Sequence, residues 1–167
     1  MGPHDGRMPS WSSVLTSAPD LAKQVQRRFD AHGLGLLATL RRDGFPRLSG
    51  VEPLFTEEVW VGMMPQSLKA LDLLRDPRMT MHSATIDKQV TDGDAKITGL
   101  AVAVDDEEAL AQARRDFEVH TGQAPPPGPM HLFRIDVREL AFVHPEHDRL
   151  VIESWSAARG IRRIERT

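Results

Sequence analysis

The chain has 167 residues, enough for one compact domain that buries roughly two thirds of the surface its unfolded form exposes. Its 21 basic and 24 acidic residues give a net charge of -3, which excludes a general electrostatic attraction to nucleic acid or to an anionic membrane and leaves a small molecule or another protein as partner. It has no cysteine, hence no disulfide or thiolate metal site, and no apolar run near the roughly 20 residues that cross a bilayer, so the expectation is a cytoplasmic protein.

In chain order, residues 1–17 mix Gly, Pro and Ser without periodicity and read as a flexible arm, followed by a single domain over 18–167. Leu21, Val25 and Phe29 fall four apart between Pro19 and Gly33, the pattern of an amphipathic helix with a glycine stop. The stretch LATLRRDGFPRLSGVEPLF reads as a hairpin, and its second strand carries the polar residues Arg47 and Ser49 where a core-filling strand would carry Val or Ile. A period of two sends Arg47, Ser49 and Val51 to one face and Leu48, Gly50 and Leu54 to the other. If the second set lines the core, Arg47 and Ser49 look outward.

Val59 to Met63 is a continuous apolar run, as expected of a strand covered on both faces. MPQSLKALDLLRDP then reads as a short helix capped by Ser67, with Leu68, Leu71 and Leu74 on one face and Pro77 closing it. RMTMHSATID and AKITGLAVAV are two further strands. A helix follows, with Asp105 and Glu108 at capping-box spacing and Gly122 as its stop. The Pro-rich QAPPPGP connects to three runs, HLFRIDV, LAFVH and RLVIESW, the last two joined as a hairpin through Pro145-Glu146-His147-Asp148. Strands joined by short turns favour an antiparallel sheet closing into a small barrel with helices outside, a mainly β fold with α.

For chemistry, the short helix is the most informative place. A helix start leaves unpaired N–H groups and partial positive charge that attract an anion, and Ser67 and Lys69 stand there. The plain alternative is a serine cap followed by a solvated lysine. Trp155 can stack on a ring or fill the core, and Arg159, Arg162, Arg163 and Arg166 can grip an acidic ligand or form a solvated tail. His144 and His147 lie three apart across a turn with no carboxylate to complete a set, so no metal is expected. His82, on a strand, reads as structural or cofactor-adjacent.

The ordered set LATLRRDGFPRLSGV, VWVGMMPQSLKALDLLRDPRMTM and VIESWSAARG resembles the pyridoxamine 5'-phosphate oxidase-like family of split β-barrel flavoproteins. The resemblance implies an antiparallel Greek-key split barrel, a homodimer, and FMN held in the groove between protomers. Coenzyme F-420 and, less so, haem are the alternative cofactors among relatives. It also implies an oxidoreductase acting on a small-molecule substrate, with a non-catalytic cofactor-binding module as the reading of another class. Carried over by position, the cofactor would meet the strand segment Arg47, Leu48, Ser49 and Gly50, then Gly62 and Met63, the phosphate-binding Ser67 and Lys69, and Trp155 near the ring. The chain departs from true pyridoxamine phosphate oxidases near its end, where RGIRRIERT stands in place of an Arg-x-His segment, so that particular oxidase activity is not implied.

Overall fold

A computed structural model describes residues 10–167. Its elements are α1 (Trp11–Ser17), α2 (Pro19–Asp30), β1 (Gly35–Leu40), β2 (Pro46–Val51), β3 (Pro53–Phe55), β4 (Val59–Met63), α3 (Leu68–Arg75), β5 (Arg78–Ser83), β6 (Asp94–Val104), α4 (Glu107–Thr121), β7 (His131–Glu146), β8 (Arg149–Ser156) and β9 (Gly160–Arg166). Every strand pairing is antiparallel, in the order β2-β1-β5-β6-β7-β4-β3, with β8 added to β7 and β9 to β8. The strands at the two ends of that order, β2 and β3, are separated in the chain only by Glu52. The chain itself therefore closes the sheet into a barrel.

One long strand creates the split. HLFRIDV and LAFVH, expected as two strands, form the single β7, because Thr98 pairs with Glu139 and Gly99 with Val137, leaving Arg138 as an extra residue. The bulge shifts the period by one: Phe133, Ile135 and Val137 are buried before it, Leu140 and Phe142 after it. It also separates two neighbours along one edge of β7, with β4 pairing to residues 131–135 and β8 to residues 139–146. The β8–β9 ribbon thus leaves the barrel while staying in the sheet. The turn between β7 and β8 is shorter than expected, two residues with His147 at φ 57°.

Residues 11–17, expected within a flexible arm, are instead helical; residues 1–9 of that expectation lie outside the described residues. Ser10 caps α1 by accepting from the Ser13 amide, and Trp11 is 0% exposed. Its ring meets Phe55 edge-on at 5.0 Å and its indole N–H donates to Gln26 Oε1 at 3.1 Å. Phe29 of α2 completes the aromatic group at 5.6 Å from Phe55. Burying one aromatic and capping one serine organise a segment whose composition reads as loop. α2 ends as expected, with Gly33 at φ 61° donating its N–H to Phe29 O. Arg28 is buried and holds α2 to the 84–93 loop through the carbonyls of Gly93 (2.8 Å) and Ala84 (3.0 Å).

α4 covers the outer side of β3 and β4, where Phe117 and Ala113 pack with Leu54 and Leu132. Its cap is Asp106, accepting from the Ala109 amide at 2.8 Å, one residue later than expected. Arg114 of α4 donates to the carbonyls of Pro126 and Gly128 and so fastens the Pro-rich connector.

Candidate functional site

β2 sits with its polar residues toward the interior, the reverse of the expected facing. Directly paired residues share a side, and β2 pairs Arg47 with Thr39 and Ser49 with Leu37, both of which are buried on β1. Arg47 and Ser49 are accordingly half-buried, Val51 is buried, and Leu48 is 67% exposed with Gly50 beside it.

An arginine on that side needs an acid, and α3 provides it. Asp72, 4% exposed, accepts from Arg47 Nε at 2.7 Å and from Thr39 Oγ1 at 2.9 Å on one carboxylate oxygen, and from Arg75 Nη1 at 3.4 Å on the other. Arg75 also donates to the Leu40 carbonyl. Burial alone would raise the Asp72 carboxyl; hydrogen bonds from Arg47 and Thr39, the charge of Arg47 and the bond from Arg75 together outweigh it and hold the group below its ordinary value of 3.8. A depressed carboxylate contributes stability that is present above that ordinary value and is lost as pH falls through the folded one. Acid titration of unfolding free energy in the parent and in Asp72→Asn should therefore show a steeper loss below about pH 4 in the parent; parallel curves would contradict the linkage.

This anchoring reverses the expected facing of α3 too. Ala70, Asp72 and Leu73 meet the sheet, while Leu68, Leu71 and Leu74 are 59, 38 and 51% exposed. The signal available in the sequence was the lone acid at position 72 inside LKALDLLR, a helix otherwise rich in apolar residues.

At the start of α3 the expected residues do meet. Lys69 Nζ donates to Gly50 O of β2 at 2.6 Å. Ser67 has the N-cap backbone conformation, φ -62° and ψ 136°, yet its hydroxyl makes no capping bond. Its Oγ is shielded from solvent and has no hydrogen-bond partner. A shielded hydroxyl wants a partner, and Ser67 stands at the head of a helix whose first-turn amides have no carbonyl one turn back. Gln66, immediately before it, is held at φ 61°, a left-handed conformation uncommon outside glycine. Arg47 is joined to the same helix through Asp72. These residues fit the phosphate of FMN.

Other expected positions are placed differently. Met63 is 4% exposed and points into the main core, and a Cβ on Gly62 would fall 2.7 Å from the Met130 side chain beneath α4. Trp155, 5% exposed, belongs to the main core, with one edge reaching a cavity described next.

On the non-core face of the sheet a cross-strand row runs from Gly50 through Leu36, His82, Lys96, Ala141 and Ser154 to Arg162. Between Lys96 and Arg162 lies a cavity of about 240 Å³, floored by Ala141, Ser154 and Ser156. It also carries Arg159, paired with Glu139 at 3.4 Å. Cations exceed acids there by three to one among Lys96, Arg159, Arg162 and Glu139. The sequence could not group these residues because they come from β6, β7, β8, β9 and the turn between the last two, and meet only through register. The remaining terminal arginines are partly spoken for: Arg163 pairs with Glu146 at 2.7 Å, while Arg166 lies on the exposed β9. Among the described residues no group of three metal-ligating side chains is present, and no helix is long and apolar enough to cross a membrane.

The profile of the pyridoxamine 5'-phosphate oxidase family matches residues 21–144. The chain belongs to this family. Solved structures with the same split-barrel fold include a pyridoxamine 5'-phosphate oxidase-related, FMN-binding protein from Nostoc punctiforme (14% identity, TM-score 0.62, covering 93% of this chain and 99% of that one). PhzG from Burkholderia lata, in complex with tetrahydrophenazine-1-carboxylic acid, superposes at TM-score 0.63 with 16% identity over 99 and 100% of the two chains. A haem-binding protein from Mycobacterium smegmatis matches at TM-score 0.59 with 17% identity, over 80% of this chain and 57% of that one. No curated protein matches the sequence. Proteins with this fold thus include an FMN-binding and a haem-binding one.

Proposed function

We propose that this family member is an FMN-dependent oxidoreductase whose cofactor lies between two copies of the chain, with its phosphate at the start of α3. The observation that carries the reading is the shielded, unpartnered Ser67 hydroxyl at the start of α3, the helix whose Lys69 ammonium reaches β2 at the Gly50 carbonyl. When bound, the flavin supplies hydride or electron transfer, so no side chain of this protein has to act as acid or base. Ser67, Lys69 and Arg47 hold and orient the anionic end. The cation-rich cavity between Lys96 and Arg162 suits an acidic substrate or the polar edge of the ring.

A second copy is part of the reading because the outer face of the sheet is uncovered in the single chain and carries the exposed Leu36 and Leu48. A flat ring lying on one sheet face needs a cover, and a twofold-related chain provides it.

The test is a parallel titration with FMN, coenzyme F-420 and haem, followed by absorbance and fluorescence, with sedimentation of the loaded protein. Saturable FMN binding by a dimer is the expected result. Binding of F-420 without FMN would replace the flavin by the deazaflavin, a Soret band without flavin binding would move the protein to the haem-binding class, and a monomer that binds FMN tightly would overturn the shared site.

A further inference from the structure

We infer that Asp72 is a positioning residue for the anion site: it grips Arg47 by Nε and thereby fixes the guanidinium fork of β2 against α3. The inference rests on the reading that a phosphate ester binds at the start of that helix.

The two sides of the site come from elements far apart in the chain, Arg47 and Ser49 from β2, Ser67 and Lys69 from α3. Two polar links join them, Lys69 to Gly50 at 2.6 Å and Arg47 to Asp72 at 2.7 Å. The second is the sheltered one, since Asp72 is 4% exposed while the Arg47 side chain keeps 26% of its surface. Docking α3 on the sheet does not itself call for a buried acid, because an apolar side chain of similar size would do so with less desolvation cost. What a carboxylate adds is a fixed acceptor for Nε. The guanidinium has five N–H donors; with Nε committed, the two terminal nitrogens keep four, in a rigid plane suited to two oxygens of a phosphate.

Charge bookkeeping agrees. Arg75 also bonds Asp72, so the cluster of Arg47, Arg75 and Asp72 keeps one net positive charge. Asp72 therefore orients Arg47 without cancelling the attraction for an anion. Thr39 contributes a fixed donor to the same carboxylate oxygen, which limits its rotation.

The experiment measures FMN and riboflavin affinities in the parent, Asp72→Ala, Asp72→Asn, Arg47→Met and the Asp72→Ala/Arg47→Met double variant, with thermal melts alongside. Asp72→Ala should weaken FMN about tenfold and riboflavin less than twofold. Asp72→Asn, which keeps an oxygen acceptor facing Nε, should restore most of the loss. The double variant should bind FMN no more weakly than Arg47→Met alone, because Asp72 acts through Arg47. Arg47→Lys preserves the charge without the fork and should lose FMN about as much as Asp72→Ala, which gives an answer even if the alanine variant does not fold. Additive losses in the double variant, equal losses of FMN and riboflavin, or full FMN affinity in Arg47→Lys would each overturn the positioning role. A parent that binds FMN no better than riboflavin would instead reject the phosphate site on which the role rests.

Discussion

Replacing Trp11 by alanine is expected to destabilise the protein by about 3–5 kcal/mol, the range for removing a fully buried large aromatic side chain. The ring is 0% exposed, meets Phe55 edge-on at 5.0 Å and donates its N–H to Gln26. Its loss removes apolar burial, leaves a cavity that Val14 and Phe55 cannot fill without moving, and strips Gln26 of a donor. Against a total stability of about 5–15 kcal/mol for a typical domain, the change should shift a urea midpoint substantially. Trp11→Phe, which retains a ring, should recover more than half. A midpoint for Trp11→Ala within about 1 kcal/mol of the parent would mean that α1 is an appendage, as composition alone would have it.

Removing the ammonium of Lys69 should weaken FMN binding by roughly ten- to a hundredfold, since a charge-assisted hydrogen bond contributes on the order of 1.5–3 kcal/mol and about 1.4 kcal/mol is a factor of ten. Folding should change little in Lys69→Ala. The bond it loses is to Gly50 O at an exposed edge, where water replaces the donor. Riboflavin, which lacks the phosphate, is the control, and its affinity should be nearly unchanged. Parent-like FMN binding in Lys69→Ala, or a parallel loss of both ligands, would return Lys69 to the role of a link between α3 and β2.

The opposite fates of neighbouring residues in β2 and α3 explain why the site was only partly legible. The residue types at the start of α3 raise the expectation of an anion site from sequence because capping geometry and helix-end charge are local, set within four or five residues. The facing of Arg47 was not local. An isolated strand PRLSGV offers two faces, and hydrophobicity assigns Leu48 to the core and Arg47 to water. Pairing with Thr39 and Leu37 overrules that choice, and the buried Asp72 makes it tolerable. The same partner turns α3 over, so that Leu68, Leu71 and Leu74 face outward although their spacing reads as a core stripe.

The family and, in order, α2, the β1–β2 hairpin, β4, α3, β5, β6, α4 and β8 were legible in local sequence. Periods of two and 3.6, glycine stops and the spacing from the DGxP turn to SxKxxxLxxDP are all properties of short windows, and β4, α2 and α3 lie where those windows place them. Which faces are inside, the union of HLFRIDV and LAFVH in one strand bent by an extra Arg138, and the place of Trp11 and Val14 in the core arise from packing between distant segments. The tertiary structure alone set Lys96 and Arg162 on either side of one cavity. Each of these depends on register between strands distant in the chain, where a shift of one residue exchanges core for surface, and register is fixed by the partner strand and not by the strand's own residues.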